Sequence, residues 1–184
     1  MRSMIMIVSV CLLLLACAAP SKSNTAAAPD SSSGMALASA SFMAGESIPT
    51  RYTLYGENLT PDLTWDRAPE GTKSFALICR DPDAPGGSFV HWVLFNMPEN
   101  ARCLPEGLPR DSTLPLGGKQ GTNSFHRVGY DGPKPPNGTH RYYFDLYALA
   151  GMLDLDQTAT AGRLQQAMKG HVLAKASLMG KYKK

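Results

Sequence analysis

Two runs of the chain are apolar almost without interruption, and they limit the possible folds more than any other feature. "KSFALICR" (residues 73–80) and "FVHWVLFNMP" (89–98) are joined by the turn-forming stretch "DPDAPGGS". Strands with one wet face alternate apolar and polar residues. Runs this continuous read as central strands covered on both faces. Pro98 ends the second run, because proline cannot donate to a strand ladder.

The remaining punctuation agrees with a mainly β fold. The 184 residues include 14 prolines and 17 glycines spread along the chain, which favours short elements joined by turns. Further strands are expected at "SIPTRYTLY" (47–55), "DLTWD" (62–66), "RYYFDLYALA" (141–150) and "HVLAKASLMGKYKK" (171–184). Residues 99–119 read as an excursion loop. Residues 121–140 are turn-dominated, and Pro133, Pro135 and Pro136 stiffen them. One helix is expected within 156–171: Thr158 or Thr160 can cap it, Leu164, Ala167 and Met168 share a face, and Gly170 stops it. A single domain over residues 37–184 follows, with no internal repeat.

The N-terminus has the layout of a secretory signal. "MRSMIMIVSVCLLLLAC" carries one early Arg and then an apolar run from Met4 to Ala16. Its end, Leu14-Leu15-Ala16-Cys17, resembles a bacterial lipobox, in which the cysteine is acylated after cleavage before it. Residues 1–16 are therefore expected to be removed, Cys17 to be lipidated, and residues 17–36 to form a Ser/Ala/Pro-rich tether. Ala18 follows the cysteine where Asp would signal inner-membrane retention. The expected location is the bacterial cell envelope, on the periplasmic face of the outer membrane if the host has two. The formal net charge of +3 is too weak to argue for nucleic acid. Cys79 lies in an apolar run where a small buried thiol needs no partner, so a bridge to Cys103 is not required.

Chemistry gathers where strands meet loops. Asp81 closes the first apolar run, His91 opens the second, and His140 opens the strand after the proline-stiffened loop. Each has a plain alternative as a turn-capping aspartate or a packed histidine. A nucleophilic triad would need a Ser or Cys on a strained elbow, and no GxSxG motif is present. Zinc sites usually show close pairs such as HxxxH or CxxC, whereas these histidines are far apart, which disfavours a metal. An anion pocket needs only His donors, free loop N–H groups and an orienting carboxylate. The residues favour binding over catalysis, with His91 facing Asp81 from the incoming strand and the histidines gaining charge near pH ~6.5.

"DPDAPGGSFVHWVLFNMP", "GYDGPKPPNGTHRYYFDLYAL" and "GHVLAKASLMGKY", in this order, resemble the phosphatidylethanolamine-binding protein family, and more closely its bacterial, Raf-kinase-inhibitor-like branch. The resemblance runs from about Ala40 to Tyr182. It implies a central antiparallel sheet flanked by a smaller sheet and one or two helices. It also implies a small pocket for phosphate-type anions or phosphorylated head groups. By motif position the ligand-binding residues would be Asp81, His91, His140, Tyr142, Gly132 and Pro133, supported by Asp83 and Arg141. No catalytic residue, metal or cofactor is implied. The reading is a membrane-tethered binding protein, possible regulation of a protein partner included. The alternative is a His/Asp hydrolase or metal-dependent enzyme. Two departures stand out. Arg80 occupies a position where relatives often carry an acid, and alternation turns it away from Asp81. The "PPNGTHR" loop is also short.

A Cys17→Ser variant is expected to remain as unprocessed precursor on an immunoblot of the envelope fraction. Normal processing of that variant would remove the lipidation reading.

Overall fold

The two apolar runs lie at the heart of a five-stranded antiparallel sheet. The computed structural model describes residues 34–184, so the expected signal sequence, Cys17 and most of the expected tether lie outside the described residues. Met35 is already buried and the first strand, β1, spans Ala36–Ala38, slightly before the domain start expected at residue 37. There follow β2 (Leu63–Asp66), β3 (Ser74–Asp81), β4 (Phe89–Pro98), β5 (Cys103–Leu104), β6 (Lys119–Gln120), β7 (Thr139–Leu149), α1 (Ala161–Ala167) and β8 (Val172–Lys183). The large sheet has the order β6-β4-β3-β7-β8, and β1-β2-β5 form a smaller sheet. This is the mainly β architecture expected.

Strand β3 is buried on both faces, and its alternating side chains feed two cores. Phe75, Leu77 and Cys79 join Trp65, Trp92, Tyr142, Phe144 and Leu146 in the inner core, to which the small sheet contributes. Ala76 and Ile78 join Val93, Phe95, Leu153, Leu164 and Met168 in the outer core beneath α1. Continuous apolar sequence is the signature of a strand covered in this way. Cys79 is a free thiol that burial pushes well above its ordinary pKa, so no bridge joins it to Cys103.

The helix is shorter than expected. Thr158 donates its backbone N–H to Asp156 Oδ1 (2.9 Å) and its hydroxyl to the same oxygen (2.6 Å), which holds 156–158 in a turn. Thr160 is therefore the cap, accepting from Arg163 N, and Gly170 (φ 78°) reverses the chain beyond the C-terminus. Residues 99–119 form a long excursion that contributes β5 and only opens β6.

The strand expected over 47–55 does not form. Residues Thr50–Tyr52 make a 3-10 turn, with Tyr52 N–H donating to Pro49 O (3.0 Å) and the Thr53 hydroxyl to Thr50 O (2.8 Å). Only Ser47 bridges to the sheet, opposite Lys181. Local side-chain-to-backbone bonding competes with a ladder, and here it also turns Ile48 and Tyr52 into the inner core. The alternation in the sequence reflects that burial rather than a strand.

Gly180 of β8 lies opposite Tyr142, where Ile48 and Phe42 close over the strand. A Cβ at Gly180 would sit 2.5 Å from Ile48 Cγ1 and 2.8 Å from Phe42 Cε2. Gly180→Ala is expected to destabilise the domain by about 1–3 kcal/mol through overpacking, read as a lower urea midpoint with unchanged slope.

Candidate functional site

Parity and one bulge bring the polar groups together. Asp81 ends β3 two residues beyond Cys79, on the inner face, just past the apolar core. On β7, His140 and Tyr142 precede Phe144 and Leu146 on that same face. On β4 strict alternation from Trp92 would send His91 outward. Instead Cys79 pairs with Trp92 and Arg80 with Val90, leaving His91 as the extra residue of a bulge. A bulge re-aims the side chain it adds, and the His91 ring meets the Tyr142 ring edge-on at 5.2 Å.

The contacts differ from those expected in one respect. Asp81 Oδ2 bonds His140 Nδ1 at 2.7 Å, whereas His91 Nδ1 bonds the Asp131 carbonyl at 2.6 Å. His91 therefore faces the loop, and His140 is the histidine partner of Asp81. The other Asp81 oxygen accepts the Asp83 N–H at 2.8 Å, an Asx turn that shapes the DPDAP stretch. Asp81, His91 and His140 are each at most 6% exposed. Phe89 and Phe125 pack on the His91 ring at 5.3 and 5.7 Å. The Tyr142 hydroxyl is buried near Asp81 and the Lys134 backbone, but makes no hydrogen bond of normal geometry to either.

Gly132 and Pro133 are buried in the loop that carries Asp131. Gly132 N–H donates to Asn58 Oδ1 (2.8 Å), and a Cβ there would lie 2.1 Å from the Tyr52 carbonyl oxygen. Pro133 O accepts from Leu54 N–H at 3.1 Å. Both residues thus seal the loop against the segment 52–58. Asp83 takes a forked ion pair from Arg141, with Nε at 2.9 Å and Nη2 at 2.7 Å, tying the DPDAP turn to the start of β7. Arg80 points to the outer face, 2.8 Å from Asp145, away from the cluster as alternation predicts. His126 lines a separate surface cavity of about 340 Å³ with Ser124 and Thr160, and His171 lies beside Gly151 at the far end of the sheet.

The sequence reading missed Asp131 and its partners. Its carboxylate, 0% exposed, is met by Arg110, Arg127, Asn123 and Asn58, which come from three separate loop segments. Asp131 stands within the quoted "GYDGP", but no local spacing links it to Arg110.

Burial holds the His91 pKa below its ordinary value, against the opposing pull of the Asp131 carbonyl and the Asp81 charge. This corrects the expectation that His91 gains charge near pH ~6.5. Arg141 lowers Asp83 to about 2 through its hydrogen bonds. Burial, then the Asp81 charge, pushes the Tyr142 phenol well up, so it remains an O–H donor.

Residues 38–183 match the family model described as phosphatidylethanolamine-binding protein. A UPF0098 protein of Methanothermobacter thermautotrophicus is 50% identical over 137 residues, covering 74% of this chain and 91% of that one. UPF0098 protein YbhB of Escherichia coli is 40% identical over 153 residues, covering 78% and 97%. Among solved structures, a putative phosphatidylethanolamine-binding protein homolog, CT736 of Chlamydia trachomatis, superposes with a TM-score of 0.77 at 37% identity, covering 83% of this chain and 99% of that one. E. coli YbcL, described as a member of the mammalian PEBP family, gives 0.77 at 34%, covering 82% and 98%.

The lowered His91 pKa has a signed consequence. A group whose pKa falls on folding contributes stability above its unfolded value and loses it as pH falls through the folded one. Unfolding free energy is expected to decline as pH drops below ~6.5, and His91→Gln should flatten that decline. In wild type the titration midpoint of the His91 ring signals should lie below that of a free imidazole. A midpoint at or above the free-imidazole value would contradict the assignment.

Proposed function

The chain belongs to the phosphatidylethanolamine-binding protein family, as a binding protein of the UPF0098 type, and on that premise we propose that its inner-face cluster binds a phosphate-type anion or phosphorylated head group without turning it over. The observation that carries this reading is the Tyr142 hydroxyl, a buried donor that makes no hydrogen bond of normal geometry, set against the His91 ring and close to Asp81 and the Lys134 backbone. A buried polar group left unpaired costs about 1–3 kcal/mol, which an accepting ligand oxygen would recover.

The surroundings support an anion. Thr139 and His140 pair with Lys183 and Tyr182, so the basic C-terminal residues lie at the same end of the sheet. Lys134, Lys181, Lys183 and Lys184 are exposed there and give that end a positive field. Asp81 opposes an anion, but both its oxygens already accept protein N–H groups. Chemistry offers less support for turnover. The nearby thiol, Cys79, is fully buried and its pKa is raised, which disfavours a thiolate nucleophile. Membrane tethering through Cys17 belongs to the same proposal and would present this site in the cell envelope.

Calorimetric titration with phosphate and phosphoethanolamine tests the reading. Tyr142→Phe is expected to weaken binding about tenfold or more, the effect of losing one charge-assisted bond. His140→Ala should also weaken it, with circular dichroism checking that the domain stays folded once buried Asp81 has lost this partner. Absence of heat with both ligands would overturn the site. Hydrolysis of a phosphoester by the purified protein would favour the enzyme alternative.

A further inference from the structure

The residues around Asp131 bear on which anion the cluster accepts. Arg110 grips the carboxylate with two nitrogens, Nη1 to Oδ1 at 3.1 Å and Nη2 to Oδ2 at 3.0 Å. Arg127 Nη2 lies 3.0 Å from Oδ1, and Asn123 Nδ2 donates to Oδ2 at 2.8 Å. Asn58 Nδ2 adds a longer bond of 3.3 Å. Arg110 also donates to the carbonyls of Val128 and Tyr130, so it holds the loop on both sides of Gly129. This is far more bonding than a turn requires, and all of it fixes one residue.

Asp131 in turn brackets His91. Its N–H donates to the His91 carbonyl at 3.0 Å, and its own carbonyl meets His91 Nδ1 at 2.6 Å. A carbonyl oxygen can only accept, so the ring proton sits on Nδ1. In the neutral ring Nε2 is then a lone pair; the Gly132 backbone also acts on this ring, but the one hydrogen bond of normal geometry that the ring makes among the described residues is at Nδ1. The charged or titratable groups around this ring are Asp81 from β3, Tyr142 from β7 and Asp131 from the loop. The arginines reach the far, carboxylate side of Asp131 and the neighbouring loop carbonyls, and Arg127 also lies over the outer Phe125 ring, 5.3 Å from its centroid.

We propose that Asp131, clamped by Arg110, Arg127 and Asn123, is a positioning residue that locks His91 in the Nδ1–H tautomer, so that the site selects a phosphate-type ligand still carrying a proton over an equally charged anion carrying none. This rests on the reading of the cluster as an anion site. A phosphomonoester monoanion has one P–OH and two unprotonated oxygens. The P–OH donates to His91 Nε2 while an oxygen accepts from the Tyr142 hydroxyl. A sulfate ester of the same charge and shape has no proton to give, and it sets an oxygen lone pair against the Nε2 lone pair. No covalent step is involved. The selection follows from which hydrogen-bond partner is left unmatched.

Methyl phosphate and methyl sulfate are the probes, titrated calorimetrically at pH 6, where a phosphomonoester is roughly half monoanion. Wild type is expected to bind methyl phosphate more tightly by at least about tenfold. Nitrogen-15 NMR of the free protein should show His91 protonated on Nδ1 and bare at Nε2. Asp131→Asn and the milder Arg110→Met, which leaves Arg127 and Asn123 in place, should mix the tautomers and bring the affinity ratio towards one. Their circular dichroism is checked for a native fold, and Arg110→Met decides if Asp131→Asn fails to fold. Equal binding of both esters by wild type would overturn the selection while leaving an anion site. An unchanged tautomer and ratio in a folded variant would overturn the role of Asp131. Binding of neither ester would overturn the anion site and the selection together.

Discussion

Burial of β3 on both faces is the constraint to which the rest of the structure answers. All its residues but Arg80 are buried, so each face needs its own apolar layer. The small sheet and the segment around Ile48 contribute to the layer on one side, and α1 with the chain before it supplies the other. Because β3 pairs with β4 and β7 at once, the register of those strands is fixed relative to it. Asp81 can be polar because it is the first inner-face position beyond the apolar layer.

The polar groups at that end form two tiers with different tasks. Asp81 and His140 satisfy one another across neighbouring strands, which keeps a carboxylate tolerable at 3% exposure. Asp131 belongs to a loop and cannot rely on a ladder, so two arginines and two asparagines hold it. Such a buried ion cluster is weak evidence for stability, since desolvation offsets much of the attraction. What it does supply is a fixed position for the carbonyl that orients His91. Among the buried side-chain polar atoms described, Tyr142 Oη and Trp65 Nε1 make no hydrogen bond of normal geometry, and only Tyr142 lies at this cluster.

Much of this was legible in the chain. The continuous apolar runs predicted β3 and β4 because periodicity reports directly on which faces are dry. The parity of residues 79 and 81, and of 140, 142 and 144, places Asp81, His140 and Tyr142 with the inner core, and it turns Arg80 outward. The 47–55 stretch misled for an equally physical reason. Ile48 and Tyr52 are buried, and their spacing looks like alternation, but Pro49 and the Thr53 hydroxyl favour a turn.

Local sequence therefore determined the elements, their faces and the strand-end placement of the polar residues. These depend on interactions between residues a few positions apart, whose periodicity is written in the chain. The tertiary structure alone decided that His91 sits in a bulge, that Asp81 bonds His140 instead, and that Arg110 finds Asp131. A bulge exists only relative to its partner strand. An ion pair between two loops exists only once the core has brought those loops together, and nothing in the spacing of residues 110 and 131 encodes that distance.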